Sequence, residues 1–340
     1  MDWNQKRVLI TGGAGFIGSN LTRYLLHKGS NVTILDNFSR DNVEKNIPWL
    51  AELNKNLKVM KGDIRDKELV ADCVKEKDVV FHEAAQVAVT DSVANPINDF
   101  NINAGGTLNV LDMMRIHSPE SIFVFASTNK VYGGLERYPV NEVSGRYAFT
   151  DDDLLEGVSE KVNVDFHSPY GCSKGSADQY VRDFARIYGL KTLVFRQSCI
   201  YGPRQWGTED QGWVFHFLKL AYKKEILKIF GDGKQVRDLL FIDDLIRAYE
   251  MAIENIEVTS GEIYNLGGGI TNSVSLLDAI SIVESLLEYK VKTEFLPWRP
   301  GDQKVFISNN NKALNDFGWA PKVGVKEGMD KLLEWVKSIN

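Results

Sequence analysis

The chain has 340 residues, of which 44% are hydrophobic, 25% charged and 11% aromatic, and a formal net charge of −6. That composition describes a globular protein with a large core in one domain or two, and the acidic balance argues against general affinity for nucleic acid or anionic membrane. Three cysteines (Cys73, Cys172, Cys199) without CxxC spacing and five scattered histidines offer neither a disulfide framework nor a metal-ligand motif, so no metal is expected.

The first residues run directly into Val8-Leu9-Ile10 without the apolar core of a secretory leader, and no stretch approaches the ~18 consecutive apolar residues of a membrane span. A cytoplasmic protein is expected. Strands are expected over 7–11, 31–36, 57–63, 78–82, 121–127 and 191–196, and helices over 16–28, 67–75, 97–115 and 169–188. Several strands are nearly continuous Val, Ile, Leu and Phe, as befits strands covered on both faces. Alternation of this kind builds an α/β fold with a doubly wound parallel Rossmann sheet, which places ligands at the carboxyl ends of its strands. Residues 133–168 form a polar insertion around Asp151-Asp152-Asp153, expected as a solvated loop. After residue 196 the rhythm changes. Residues 201–233 are loop-rich and aromatic, 238–253 have the period of a helix returning to the first domain, and the tail from 267 mixes turns, strands and helices. The expected division is 1–198 with 236–262 as the dinucleotide-binding domain, and 199–235 with 263–340 as a smaller C-terminal α/β substrate lobe.

Gly12, Gly15 and Gly18 follow the first strand and open the first helix. The first two allow a tight turn and close approach of backbone to a pyrophosphate, and the third lets helix and strand pack together. Free N–H groups and the positive helix end then face the phosphates. Asp36 ends the second strand, where its carboxylate can take both hydroxyls of an adenine ribose and repel a 2′-phosphate; this favours NAD over NADP, although Arg40 nearby could accept such a phosphate. Asp63-Ile64, after the third strand, is placed to border the adenine, or is simply a strand-ending turn.

Tyr170 and Lys174 lie four residues apart. Ser168 is a good N-cap and Pro169 suits the first helical position, so the pair is expected one turn apart on one helix face. A neighbouring ammonium and the positive helix end both favour the phenolate, and a phenol tuned downward can act as general base toward a substrate hydroxyl. Tyr-x-x-x-Lys alone recurs by chance on many helices. The strand before it, Phe123-Val124-Phe125-Ala126-Ser127-Thr128, adds a hydroxyl at the sheet edge that can bind the oxygen Tyr170 titrates.

These residues, with His82-Glu83-Ala84-Ala85-Gln86, Asn103, Tyr201-Gly202-Pro203-Arg204 and Arg237-Asp238, resemble the extended short-chain dehydrogenase/reductase family of nucleotide-sugar-modifying enzymes over nearly the whole chain. The resemblance implies a Thr128, Tyr170 and Lys174 catalytic triad. It implies NAD held by Gly12, Gly15, Phe16, Ile17, Gly18, Asp36, Asn37, Ser39, Arg40, Asp63, Ile64, Ala84, Ala85, Gln86, Asn103, Tyr170 and Lys174. It also implies a nucleotide sugar held by Asn129, Arg204, Gln205, Arg237 and Arg299, and a homodimer or homotetramer. Guanidinium forks at Arg237 and Arg299 suit diphosphate oxygens, although either could instead serve a surface ion pair.

Departures from the family pattern narrow the resemblance. Members that dehydrate a sugar carry Asp-Glu directly after the catalytic Thr, where this chain has Asn129-Lys130. Members that epimerise carbon 4 usually carry Asn three places after the sixth-strand arginine, where Arg196 is followed by Gln197-Ser198-Cys199. Those positions, together with residues 165–174, Arg204-Gln205 and Asp210-Gln211-Gly212-Trp213, look like the branch that inverts carbon 2 of a CDP-linked hexose. A UDP-sugar 4-epimerase on the same fold is the nearest alternative; a net dehydrogenase and a non-catalytic NAD-binding regulator are the others.

Overall fold

The computed structural model describes residues 1–53, 56–299 and 302–340. Seven strands, β1 (Arg7–Thr11), β2 (Asn31–Asp36), β3 (Leu57–Lys61), β4 (Val79–His82), β5 (Ile122–Thr128), β6 (Lys191–Gln197) and β7 (Glu262–Leu266), form one sheet in the order β7-β6-β5-β4-β1-β2-β3. Every pairing is parallel. β1 pairs with both β2 and β4, so the winding direction reverses beside it and a crevice opens at the carboxyl ends of these strands.

Alternation of side chains divides the core into two layers. Val8, Ile10, Val124 and Phe195 pack on one face of the sheet, whereas Leu9, Val80, Phe123 and Val194 pack on the other. The Ser168–Tyr188 helix covers the second face through Ala177, Val181 and Phe184. Ile242–Glu254 returns to the first face as expected, and its Tyr249 ring stacks on Phe81 at 5.7 Å between centroids.

The structure corrects the sequence reading in four places. β3 stops at Lys61, because Asp63 turns away to bind Arg65. β7 lies beyond the six expected strands; its mixed sequence, Glu262-Ile263-Tyr264-Asn265-Leu266, takes strand form by pairing with β6. The helix expected over 97–115 is three pieces: Pro96–Phe100, a π-helical turn over Asn101–Gly106, and Thr107–His117. The wide turn coincides with Asn103, whose side chain leaves the helix to bind Gln86 and Ser173. The insertion expected as a solvated loop contains a hairpin, Val140–Val143 with Arg146–Phe149, and buries Phe149, Leu154 and Val158 against Val236, Val305 and Phe306. Asp151 is a cap within it, accepting from the Asp153 N–H at 3.0 Å.

Beyond β6, short strands and the helices Trp213–Tyr222, Leu276–Leu287 and Val325–Ile339 form smaller layers over the carboxyl edge of the sheet. Parallel pairing of Leu227–Phe230 with Thr293–Leu296 joins two distant parts of these layers.

Candidate active site

The glycine turn is built by close backbone approach. Gly12 has φ of +69°, and a Cβ there would lie 2.7 Å from the Ala84 nitrogen; at Gly18 it would lie 2.3 Å from the Gly12 carbonyl oxygen. Helix Phe16–His27 therefore starts against the end of β1, and no side chain caps its first amides. Asp36 sits beside this turn. One of its carboxylate oxygens accepts from the Ala14 N–H at 3.0 Å and the other from the Phe38 N–H at 2.8 Å. Burial raises its pKa against these hydrogen bonds, and each oxygen retains accepting capacity toward a ribose hydroxyl. A glycine cradle with no room for a Cβ at Gly12 or Gly18, an uncapped helix start and a fixed carboxylate at the next strand fit an adenine dinucleotide.

The other expected cofactor residues divide by what the protein already asks of them. Asp63 is held by both Nε and Nη2 of Arg65 at 2.8 Å and by Asn37 at 3.0 Å, which pull its carboxyl down to about 2. Asn103 is consumed within the protein: its Oδ1 accepts from the Gln86 N–H at 2.9 Å and its amide faces the Gln86 carbonyl, Asp99 and Ser173 at 3.0 to 3.1 Å. It fixes the loop after β4 onto the Ser168–Tyr188 helix and positions the site from behind. Arg40 donates to Gln211 Oε1 at 2.5 Å, which ties the loop after β2 to the segment before Trp213.

Tyr170, Thr128 and Lys174 converge at the carboxyl edge of β5. All three are buried, and all line one cleft of about 300 Å³. The helix begins at Ser168, one residue earlier than expected, with His167 rather than Ser168 at its N-cap; the Ser168 hydroxyl still accepts from the Gly171 N–H at 3.3 Å, from a backbone with φ of +67°. Lys174 Nζ donates to the Ala126 carbonyl at 2.6 Å and lies 4.2 Å from the Phe125 ring centroid, so the strand carrying Thr128 also anchors the lysine. Here the electrostatics depart from expectation. Burial pushes the Tyr170 phenol up to about 12, opposed by a hydrogen bond to Thr128 and, less strongly, by the Arg40 charge. Burial likewise pushes the Lys174 ammonium down to about 8, against the opposing carboxylates of Glu83, Asp178 and Asp99. Position on a shared helix face is as the sequence implied, but desolvation, which only the tertiary structure creates, sets the direction of both shifts.

Asn129 and Gln205 line the cleft beside these groups, as do Phe16, Ile17 and Ala85. The three arginines expected at a sugar nucleotide lie outside its lining. Arg204 stacks on the Trp49 ring at 4.2 Å, Arg237 pairs with Asp302 at 2.7 Å, and Arg299 pairs with Glu209 and Asp210 at 3.3 and 3.2 Å. Each satisfies its charge or its planar face within the chain.

Four further cleft residues, Glu83, Gln197, Trp213 and Lys130, belong to motifs that carried the resemblance but were given no role in the site. Glu83 is half-buried, accepts from the Tyr249 hydroxyl at 2.9 Å, and is pushed up to about 7 by burial against the pull of Tyr249 and Lys174. Its sequence signals were its place in the motif His82-Glu83-Ala84-Ala85-Gln86 and a charge directly after the apolar strand Val79-Val80-Phe81-His82. Among the described residues no cluster of three or more His, Cys, Asp or Glu side chains could hold a metal ion.

A dinucleotide sheet whose switch point faces a buried Thr, Tyr and Lys defines an extended short-chain dehydrogenase/reductase of the nucleotide-sugar-modifying kind. The chain belongs to that family: residues 9–332 match the family model described as GDP-mannose 4,6 dehydratase. Within it, the chain is 45% identical over 340 residues to the CDP-paratose 2-epimerase of Salmonella typhi, covering 98% of this chain and 100% of that protein. Its fold matches the crystal structure of a UDP-glucose 4-epimerase with UDP-glucose from Thermotoga maritima with a TM-score of 0.84, 32% identity, and coverage of 98% and 99% of the two chains. It also matches the UDP-glucuronic acid 4-epimerase of Bacillus cereus, solved with UDP-glucuronic acid and NAD, with a TM-score of 0.84, 29% identity, and coverage of 98% and 100%.

Proposed function

We propose that this protein is an NAD-dependent isomerase that inverts carbon 2 of a CDP-linked hexose of the paratose and tyvelose type, through transient oxidation to a 2-keto sugar. The observation that carries this reading is the full-length 45% identity to a CDP-paratose 2-epimerase. The cleft supports it with a Thr128, Tyr170 and Lys174 set flanked by Asn129-Lys130 and Cys199, where dehydratases carry acids and 4-epimerases an asparagine.

Gly12, Gly15 and Gly18 would hold the pyrophosphate of NAD and Asp36 the adenosine ribose. Bound NAD would supply a hydride acceptor and a positive charge that opposes the burial penalty on the phenolate. With NAD bound as hydride acceptor, Tyr170 Oη would accept the proton of the carbon-2 hydroxyl, and Thr128 Oγ1 would hydrogen-bond the same oxygen. The 2-keto sugar, trigonal at carbon 2, would then present its other face to the sheet edge, and Tyr170 would give the proton back to the oxygen as carbon 2 is reduced with the opposite configuration. Atoms and electrons balance within the substrate, so no reduced cofactor is released. Lys174, held on Ala126, keeps a positive charge beneath the reacting oxygen.

Catalysis is proposed to occur in the cytoplasm, by a homodimer or homotetramer. Product NMR after incubation with CDP- and UDP-hexoses tests the reaction. Inversion at carbon 2 of a CDP-sugar is expected, inversion at carbon 4 of a UDP-sugar would replace the reading, and stoichiometric NADH would mark a net dehydrogenase. Tyr170→Phe is expected to retain NAD and lose at least ~100-fold in kcat; a near-native rate would remove Tyr170 from the chemistry.

A further inference from the structure

We propose that Lys130 is the residue that binds the sugar-side phosphate of the substrate, and that it adapts this cleft to chemistry at carbon 2; this rests on the carbon-2 reading above. The argument begins with bond counting. Carbon 2 of a sugar nucleotide is three bonds from the phosphorus on the anomeric oxygen, whereas carbon 4 is five bonds away across the ring. Bringing carbon 2 to Tyr170 therefore brings the singly charged sugar-side phosphate of the diphosphate into the part of the cleft that Thr128 and Tyr170 line. A cation is required there, and a carboxylate there would repel the substrate.

Lys130 is that cation. It lines the cleft with Thr128, Tyr170 and Cys199. Its position is fixed from both sides of the site. Its backbone N–H donates to Thr128 Oγ1 at 3.2 Å, and its carbonyl lies against Gly171, where even a Cβ would approach to 3.3 Å. Nζ has no ion pair or hydrogen bond to any described residue. The neighbouring arginine is committed, since Arg237 already holds Asp302 at 2.7 Å. Burial and the Arg237 charge both push the Lys130 ammonium down, with Asp302 only partly offsetting them. A half-buried ammonium without a protein counterion is compensated by an anionic ligand, and the geometry of carbon-2 chemistry supplies one. Exchange of Lys130 for the acid found in dehydratases thus reflects where the diphosphate must lie as well as the absence of a dehydration step.

Calorimetric titration of CDP-glucose, CDP and CMP onto NAD-loaded protein isolates the contact, because CMP lacks the second phosphate. Lys130→Met is expected to weaken CDP-glucose and CDP by ~10–100-fold, the range for a charged hydrogen bond, while CMP changes less than about twofold. Lys130→Arg is expected to restore most of the loss, and it also reports whether the turn still folds. Equal weakening of CMP and CDP, or unchanged CDP-glucose affinity in Lys130→Met, would overturn the assignment. Product NMR of the wild type reads the carbon-2 assignment separately: inversion at carbon 4 of a UDP-hexose would overturn that premise without touching the diphosphate-to-monophosphate comparison.

Discussion

Glu83→Gln removes one ionisable group from the cleft lined by Thr128, Tyr170 and Lys174 and leaves an acceptor oxygen for the Tyr249 hydroxyl. The Glu83 carboxyl is pushed from its ordinary value of 4.5 up to about 7, chiefly by burial. Below pH 4.5 the folded and unfolded chains both hold this proton, so the group adds no pH dependence. Between 4.5 and about 7 the unfolded chain releases it while the folded chain keeps it, so each rise in pH favours unfolding. Above that window the whole cost is felt. The interval, at about 1.4 kcal/mol per pH unit, corresponds to on the order of 3 kcal/mol, an upper bound because the side chain is only half-buried. Urea unfolding of wild type and Glu83→Gln between pH 4.5 and 8 measures it. The variant's stability is expected to gain on the wild type as pH rises, with the two curves parallel above pH 8. Curves parallel throughout would refute the assignment of a raised carboxyl. Activity provides a second reading. Glu83 supports the charged form of Lys174, which lies near 8, so its loss moves the alkaline limit of kcat to lower pH.

Gly18→Ala places a Cβ 2.3 Å from the Gly12 carbonyl oxygen and 2.7 Å from the Gly13 Cα. Both are backbone atoms in the phosphate turn, so a loss of about 1–3 kcal/mol in stability and at least tenfold weaker NAD binding are expected by thermal melting and fluorescence titration. Asp36→Ala removes the carboxylate beside the turn and is expected to narrow NAD-over-NADP discrimination by at least tenfold, measured as a ratio of dissociation constants. Asp178→Asn leaves Arg196 buried without its counterion, after native contacts of 2.9 and 3.1 Å; a loss of about 3–5 kcal/mol is expected in urea unfolding.

Strands β1 and β2 were legible to the residue because each is an apolar run bounded by polar punctuation, and burial on both faces leaves no ambiguity of period. β7 was not, since a strand reading Glu-Ile-Tyr-Asn-Leu owes its form to the neighbour it pairs with. The convergence of Thr128, Tyr170 and Lys174 was legible through order and spacing, since Thr128 ends a strand and Tyr170 and Lys174 share a helix turn. Their protonation was not: spacing shows that a lysine accompanies the tyrosine, while desolvation and the Glu83, Asp99 and Asp178 carboxylates come from three other places in the chain. Asn103 illustrates the same limit. Its sequence context marks it as part of the site, but only the π-helical turn shows that it holds the loop after β4 in place.

The Ser168–Tyr188 helix shows how one amphipathic element can carry both chemistry and core. Its buried face reads Tyr170, Lys174 and Asp178 at four-residue intervals, then Val181 and Phe184. The first half thus presents polar groups under the carboxyl edge of β5, while the second half packs Ala177, Val181 and Phe184 against Phe123, Phe125 and Val194. Each polar group is matched where it lands: Tyr170 by Thr128, Lys174 by the Ala126 carbonyl, and Asp178 by Arg196 and by Ser127 at 2.8 Å. All of these partners lie on β5 or its neighbour β6. The apolar half therefore fixes the helix axially against the sheet, and the polar half inherits that register, so the phenol reaches the sheet edge without a flexible loop to set its position. A polar stripe on a buried helix face that gives way to an apolar one thus marks the point where a core helix emerges at a site, and the i, i+4, i+8 spacing of Tyr170, Lys174 and Asp178 carries that information in the sequence itself.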